Sequence, residues 1–138
     1  MNGARLAFKA RKLEIPADLA ELHDAREWAS QAAGDFGLAE DDRFQVKLAM
    51  SEAVTNAIIH GSGREGDSVR IAVRSDRDRL VFEVADQGRE RPGANPIERL
   101  AEGGRGLDLV SMVMDEVELV RAGDGGLLRF AKCRDRAA

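Results

Sequence analysis

The stretch that decides the fold is DDRFQVKLAMSEAVTNAIIHG, residues 41–61 of a chain of 138 residues. Its acidic start suits the positive end of a helix dipole, and Gly61 suits a helix end. The stretch therefore predicts a helix from Asp41 or Asp42 to Ile59, the longest in the chain. Its second half is largely apolar, which indicates that this helix packs against a core.

Glu52 and Asn56 interrupt that apolar surface. They stand four positions apart, so both side chains share one face of the predicted helix. A carboxylate beside a carboxamide offers one proton acceptor and one neutral oxygen ligand for a hard cation. An exposed polar stripe on an amphipathic helix would give the same letters. The apolar neighbours favour instead a polar pair that binds a ligand or a partner.

Two elements are predicted before this helix. Residues 5–13 predict a short strand that ends before Pro16. Residues 18–33 carry apolar side chains at helical intervals, with Asp18 as a candidate cap and with Gly34 and Gly37 as the helix end.

After the long helix, alternating apolar residues predict two hairpins, over residues 69–84 and 117–131. Residues 88–106 are rich in glycine and proline and predict a loop with at most a short helix at 97–101. Residues 107–114 have helical spacing. This order predicts an α+β fold: a two-layer sandwich in which helices cover one face of a mixed, mostly antiparallel sheet. We expect one domain, residues 5–134.

Composition excludes several classes of protein. The 21 basic and 25 acidic residues give a net charge of -4, which argues against direct nucleic-acid binding. No apolar run is long enough for a membrane span or a signal peptide, so we expect a cytoplasmic protein. The single cysteine, Cys133, and two histidines, His23 and His60, are too few for an internal disulfide or a zinc site.

Residues 61–66 read GSGREG and match the dinucleotide-binding pattern G-x-G-x-x-G. That pattern has to follow a strand and open a helix, whereas this segment closes a helix and precedes a strand. No Walker-type phosphate loop and no H-R-D or D-F-G sequence of a eukaryotic-type protein kinase occurs in the chain.

Two further segments suit a nucleotide. Asp86 follows an apolar strand and is followed by Gln87 and Gly88, so a carboxylate stands beside a glycine that admits a flat ring close to the backbone. An ordinary turn has the same letters. The segment GGRG, residues 103–106, leads into Leu107 and a predicted helix start, where backbone N–H groups favour phosphate.

Taken together, three segments resemble the GHKL ATP-binding superfamily and, within it, the RsbW-like serine protein kinases that act as anti-sigma factors. SEAVTNAIIHG, residues 51–61, is similar to their N-box. VADQG, residues 84–88, resembles the first glycine box, and GGRGLDLVSMVMDEV, residues 103–117, resembles the second box and its helix. The similarity extends over residues 8–133. The second glycine of the first box is replaced by Glu90.

The resemblance implies a role for each matching residue. Glu52 corresponds to the general base, and Asn56 corresponds to the ligand of the magnesium ion that bridges the phosphates. Asp86 corresponds to the acceptor for the adenine amino group, beside which Gly88 makes room for the base. The family closes a lid over the phosphates, and the loop of residues 88–106 corresponds to it. The remaining implied nucleotide-binding residues lie in this lid and at the following helix start: Gly104, Arg105, Gly106 and Leu107.

The resemblance also implies partners. Such a kinase uses ATP and Mg²⁺ to phosphorylate a serine of an anti-anti-sigma protein of the STAS type, binds a sigma factor in the stress response, and forms a homodimer. One alternative is a regulatory module that binds ATP and sequesters a partner without transferring phosphate. Another is the catalytic domain of a histidine kinase, but the residues before the long helix leave no room for a dimerisation segment with a phosphorylated histidine.

Overall fold

The fold is built on five antiparallel strands in the order β1-β2-β3-β5-β4. The computed structural model describes residues 8–62, 65–88, 108–122 and 125–134, with backbone only at 121 and 122. The strands are β1 (Arg11–Pro16), β2 (Ser68–Asp76), β3 (Arg79–Ala85), β4 (Glu116–Ala122) and β5 (Gly125–Cys133). Both predicted hairpins are confirmed, β2 with β3 and β4 with β5.

The first strand lies later in the chain than the sequence indicated. A strand over residues 5–13 was wrong in its bounds, because β1 begins at Arg11 and includes Pro16. The register explains the shift, since it sets Leu13 opposite Ile71 and Ile15 opposite Val69. Pro16 is tolerated because β1 is an edge strand, where a missing N–H costs no interior ladder bond.

Within the described residues, three α-helices pack on the sheet: α1 (Leu22–Phe36), α2 (Glu40–Asn56) and α3 (108–113). Asp18 caps a short 3-10 turn ahead of α1 by accepting from the Ala20 N–H at 2.9 Å. Gly37, with a φ of 99°, ends α1, but Gly34 lies within it. At Gly34 the missing side chain makes room for the guanidinium of Arg43 on α2.

The end of the longest helix departs from ideal geometry. After Asn56 the chain widens into a π-type turn, Ala57–Gly61, so the predicted helix reaches Gly61 by way of a turn with i→i+5 hydrogen bonds. Such turns are rare and concentrate at functional sites.

The two faces of the sheet are covered differently. On the inner face Phe82 stacks on Phe130 with ring centroids 5.5 Å apart, beneath the small buried side chains of α1 and α2. On the outer face Val81 and Ala131 are 2% and 3% exposed, although the described residues place no helix there. They line a groove of about 530 Å³ whose other walls are mostly charged side chains. The predicted fold class, helices on one face of an antiparallel sheet, is confirmed.

Candidate functional site

Asp86 lies where β3 leaves the sheet, and backbone N–H groups hold its carboxylate. Oδ1 accepts from the Gly88 N–H at 2.7 Å and from the Gly126 N–H at 2.9 Å. The Asp86 N–H donates to the Gly126 carbonyl at 3.0 Å, so the two residues are joined twice. Gly88, with a φ of 69°, takes the left-handed conformation that closes this short turn.

The end of the π-type turn lies directly against this carboxylate. A Cβ atom placed on Gly61 would overlap Oδ2 and Cγ of Asp86, so only glycine fits there. The contact joins the stretch that carries Glu52 and Asn56 to the segment that carries Asp86. Two of the three segments singled out in the sequence therefore converge.

Gln87 attaches the same turn to β2. Its Nε2 donates to the Ser68 carbonyl at 3.1 Å, and its backbone N–H donates to Oγ of Ser62 at 3.4 Å. Ser62 is 5% exposed and directly follows Gly61. The turn after β3 is thus held from three sides before any ligand binds.

Glu52 and Asn56 lie on α2, about 6 Å apart along the helix axis. Both are half-buried. The Nδ2 atom of Asn56 is buried and has no hydrogen-bond partner among the residues that the structure describes. Glu52 likewise makes no hydrogen bond or ion pair within those residues. A buried amide without a partner costs about 1–3 kcal/mol, which a polar ligand would offset.

The side chains fit a magnesium ion that is held mainly by phosphates. Within the described segments no three His, Cys, Asp or Glu side chains form a group that could hold a metal. Mg²⁺ keeps several waters and commonly takes one or two protein oxygens together with substrate phosphates. The buried carboxamide of Asn56 matches such a single-ligand site, because rotation of the amide turns either its nitrogen or its oxygen toward the ligand.

Helix α3 is attached at its C-terminal end. The Lys132 ammonium donates to the Val113 carbonyl at 2.7 Å and lies 3.8 Å from Asp42 of α2. Val110 is fully buried in the core. The lid residues that lead into this helix lie outside the described residues, namely Glu90, Gly104, Arg105, Gly106 and Leu107.

The fold and this site define a class of protein. Residues 15–132 match the family model of the histidine kinase-like ATPase domain. The structure is similar to the RsbU and RsbW domains of a Mycobacterium tuberculosis protein, with a TM-score of 0.70 and 19% identity over 93% of this chain and 34% of that one. A histidine kinase domain from Erythrobacter litoralis has a TM-score of 0.51 at 23% identity, covering 95% of this chain and 65% of that one. At these identities the structures show the shared fold.

Sequence relatives narrow the class. A serine-protein kinase RsbW from Bacillus pumilus is 35% identical over 91% of this chain and 86% of its own length. One from Halalkalibacterium halodurans is 30% identical over 91% of this chain and 83% of its own. The chain belongs to the histidine kinase-like ATPase domain family and, within it, to the RsbW serine-protein kinases. The predicted family and the predicted enzyme class, a protein serine kinase, are confirmed.

Part of the site was not predicted from the sequence. Gly125 and Gly126 fall within the predicted hairpin of residues 117–131 and were given no role, yet both lie against Asp86. Gln87 and Ser62 were given no role, although they hold the same turn. The only signal for the glycines was their run in a short turn, and nothing in that run points to a partner 40 positions away.

No helix in the described segments combines the length and the apolar character that a membrane span requires.

Proposed function

We propose that this chain is an ATP- and Mg²⁺-dependent anti-sigma factor kinase. It phosphorylates a serine of an anti-anti-sigma protein of the STAS type, and it binds a sigma factor. The observation that carries this proposal is the contact between Gly61 and Asp86. That contact joins Asp86, the proposed acceptor for a purine amino group, to the helix that carries Glu52 and Asn56. An acid and an amide of this kind are needed for phosphoryl transfer.

Each side chain has a distinct task in this proposal. Asp86 accepts a hydrogen bond from the adenine amino group, because a carboxylate has about four lone-pair sites and can serve several donors. Gly88 leaves space for the ring beside it. Asn56 turns its amide oxygen to Mg²⁺, which when bound neutralises charge on the phosphates. Glu52 orients the attacking hydroxyl of the substrate serine and receives its proton.

The proposed phosphoryl transfer needs no reactant besides ATP and the substrate serine. A bond forms between the serine oxygen and the γ-phosphorus of ATP, and the bond from that phosphorus to the bridging oxygen breaks. The electron pair of the broken bond stays on ADP. The serine proton passes to Glu52. The transition state asks mainly for positioning and charge neutralisation, so this small set of side chains is sufficient.

The family resemblance supports the remaining proposals. Gly104, Arg105, Gly106 and Leu107 are proposed to close over the phosphates, where backbone N–H groups and a guanidinium favour negative charge. Residues 5–134 are proposed to form one domain that acts in the cytoplasm as a homodimer. The chain is proposed to affect transcription through its sigma factor and to bind neither nucleic acid nor membrane directly.

Calorimetry and a transfer assay test the proposal. ATP with Mg²⁺ should bind both the wild-type chain and Glu52→Gln. An anti-anti-sigma protein recovered on the immobilised chain should be phosphorylated on serine by the wild type. Transfer by Glu52→Gln should be at least about 100-fold slower, the usual contribution of a general base. Glu65→Gln, which neutralises an exposed acid outside the site, should transfer at the wild-type rate.

Four results would contradict the proposal at different points. Absence of ATP binding would overturn it entirely. Binding without transfer by the wild type would make the chain a sequestering module. Wild-type transfer by Glu52→Gln would remove the assigned base, and an acid-labile label would point to histidine phosphorylation.

A further inference from the structure

The first residues of β5 lie beside Asp86, although 40 positions separate Gly126 from it in sequence. Strand β3 pairs with β5 so that Ala85 is opposite Leu127. One residue further on, the Asp86 N–H still donates to the Gly126 carbonyl, at 3.0 Å. The reciprocal hydrogen bond does not join two backbone groups. The Gly126 N–H donates instead to the side-chain Oδ1 of Asp86, at 2.9 Å.

Gly125 and Gly126, the first two residues of β5, also limit where the Asp86 carboxylate can lie. A Cβ atom on Gly126 would stand 3.0 Å from Oδ2 of Asp86, tighter than ordinary van der Waals contact. A Cβ atom on Gly125 would stand 2.5 Å from the Asp86 carbonyl oxygen. Gly61 confines the same carboxylate from the end of the π-type turn. Glycines from two distant segments therefore enclose one acid.

We infer that Gly126 is a positioning residue that fixes the orientation in which Asp86 meets the exocyclic amine of the purine. This inference rests on the proposed function. Without the bond from Gly126, Oδ1 would keep the Gly88 N–H as its donor. The Gly88 N–H lies two residues from Asp86 in the same short turn, so it would move together with Asp86. Gly126 belongs instead to β5, a strand inside the sheet. This bond thus ties the recognising carboxylate to a strand that is paired on both sides within the sheet.

A comparison of two nucleotides tests this role. ATP and the triphosphate of purine riboside differ in the exocyclic amine, so the ratio of their affinities measures the hydrogen bond to that amine. The wild-type chain should prefer ATP by about tenfold or more, the worth of a hydrogen bond to a charged group. The methyl group of Gly126→Ala would stand 3.0 Å from Oδ2 and turn the carboxylate away from its present orientation. The variant should therefore reduce this preference to about twofold, chiefly by weakening ATP binding.

Two further variants separate positioning from general destabilisation. Leu128→Ala empties a buried position on the same strand and removes no hydrogen bond to Asp86, so it should lower the stability and keep the affinity ratio. Asp86→Asn should abolish the preference, and adding Gly126→Ala to it should change the ratio no further. A chain with Gly126→Ala that keeps the full wild-type ratio would overturn the inference.

The outcomes also distinguish this inference from the proposed function. If the wild-type chain binds neither nucleotide, the proposed function fails, and the inference fails with it. If the wild type prefers ATP while Gly126→Ala keeps that preference, only the role of Gly126 is lost.

Discussion

Two parts of the site are built in opposite ways. The carboxylate of Asp86 is enclosed by Gly61 and Gly126 and accepts two backbone N–H donors. The polar pair on α2 lacks such support, because Asn56 buries an amide nitrogen without a partner and Glu52 makes no hydrogen bond in the described chain. The first part is complete without a ligand. In the second part, a buried amide nitrogen has no partner among the described residues.

This difference indicates a division of labour. Fixed backbone donors hold a recognition group at little reorganisation cost, which suits selection of one base. An amide without a partner is a local cost of about 1–3 kcal/mol, and a ligand that satisfies it recovers that cost on binding. We therefore expect substitutions around Asp86 to disturb both structure and affinity, and substitutions of the α2 pair to disturb Mg²⁺-dependent binding or phosphoryl transfer without lowering the stability.

The largest effect is expected from Gly61→Val, which forces a branched side chain into the carboxylate of Asp86. The free energy of unfolding should fall by about 2–3 kcal/mol, as for an overpacked core, and ATP affinity should fall by at least about 100-fold. Thermal unfolding and calorimetry measure the two quantities. Gly34→Ala is the matched control, because its new methyl group meets only the flexible end of Arg43. Equal effects of the two changes would disprove that Gly61 confines the Asp86 carboxylate.

The next effect in size is that of Asp86→Asn. The amide oxygen can still accept from Gly88 and Gly126, but the second carboxylate oxygen becomes an N–H donor that faces the purine amine with the wrong polarity. ATP affinity should fall by about tenfold to 100-fold, measured by calorimetry. Affinity within twofold of the wild type would mean that the carboxylate does not recognise the base.

Asn56→Ala should separate stability from ligand binding. Removal of a buried donor without a partner should leave the free energy of unfolding unchanged, or raise it by about 1 kcal/mol, despite the smaller side chain. The dependence of ATP affinity on Mg²⁺ should be largely lost. Chemical denaturation and calorimetry over a series of Mg²⁺ concentrations measure both. A clear loss of stability with the Mg²⁺ dependence intact would place Asn56 among the structural residues.

The smallest effect concerns a surface ion pair far from both parts of the site. The Arg11 guanidinium lies 2.7 Å from Asp35 and holds the pKa of that carboxyl below its ordinary value. A lowered pKa contributes stability above the ordinary value of about 3.9 and loses it as the pH falls through the folded value. The stability difference between the wild type and Asp35→Asn should therefore vanish in acid. Urea denaturation over a pH series measures it.

The control for that measurement is Glu14→Gln, an exposed acid on β1. The change removes a surface carboxylate without breaking any ion pair in the described chain, so the stability should stay close to that of the wild type. A difference that grows as the pH falls, in the Asp35 variant, would contradict the assigned sign.

Much of this architecture follows from local patterns in the sequence. Alternation of apolar residues located both hairpins, and an acidic start and a glycine end located α2, because these signals depend on neighbours a few positions away. The bounds of β1 and the place of Gly34 were wrong because they depend on partners across the sheet and on the next helix. The bond between Gly126 and Asp86 was missed for the same reason, since it depends on the register of β3 against β5.

Glu52, Asn56, Asp86 and Gly88 were singled out from their places on a predicted helix and at a strand end, and the family resemblance supplied their roles. The structure brings Asp86 against the end of the stretch that carries the α2 pair. The roles of all four residues stay predictions. Sequence patterns could not show that Asn56 would lack a partner, because an unpaired donor depends on every group packed around it.

The π-type turn Ala57–Gly61 makes the length of this segment as important as its letters. A deletion of one residue here would rotate Gly61 by about 100° about the helix axis and carry it away from Asp86. Consider a relative that has every motif residue but is one residue shorter between the positions of Asn56 and Gly61. Its glycine would no longer confine the carboxylate that corresponds to Asp86. Insertions and deletions in this short interval are therefore a more sensitive criterion than percentage identity for deciding which homologues keep a working pocket.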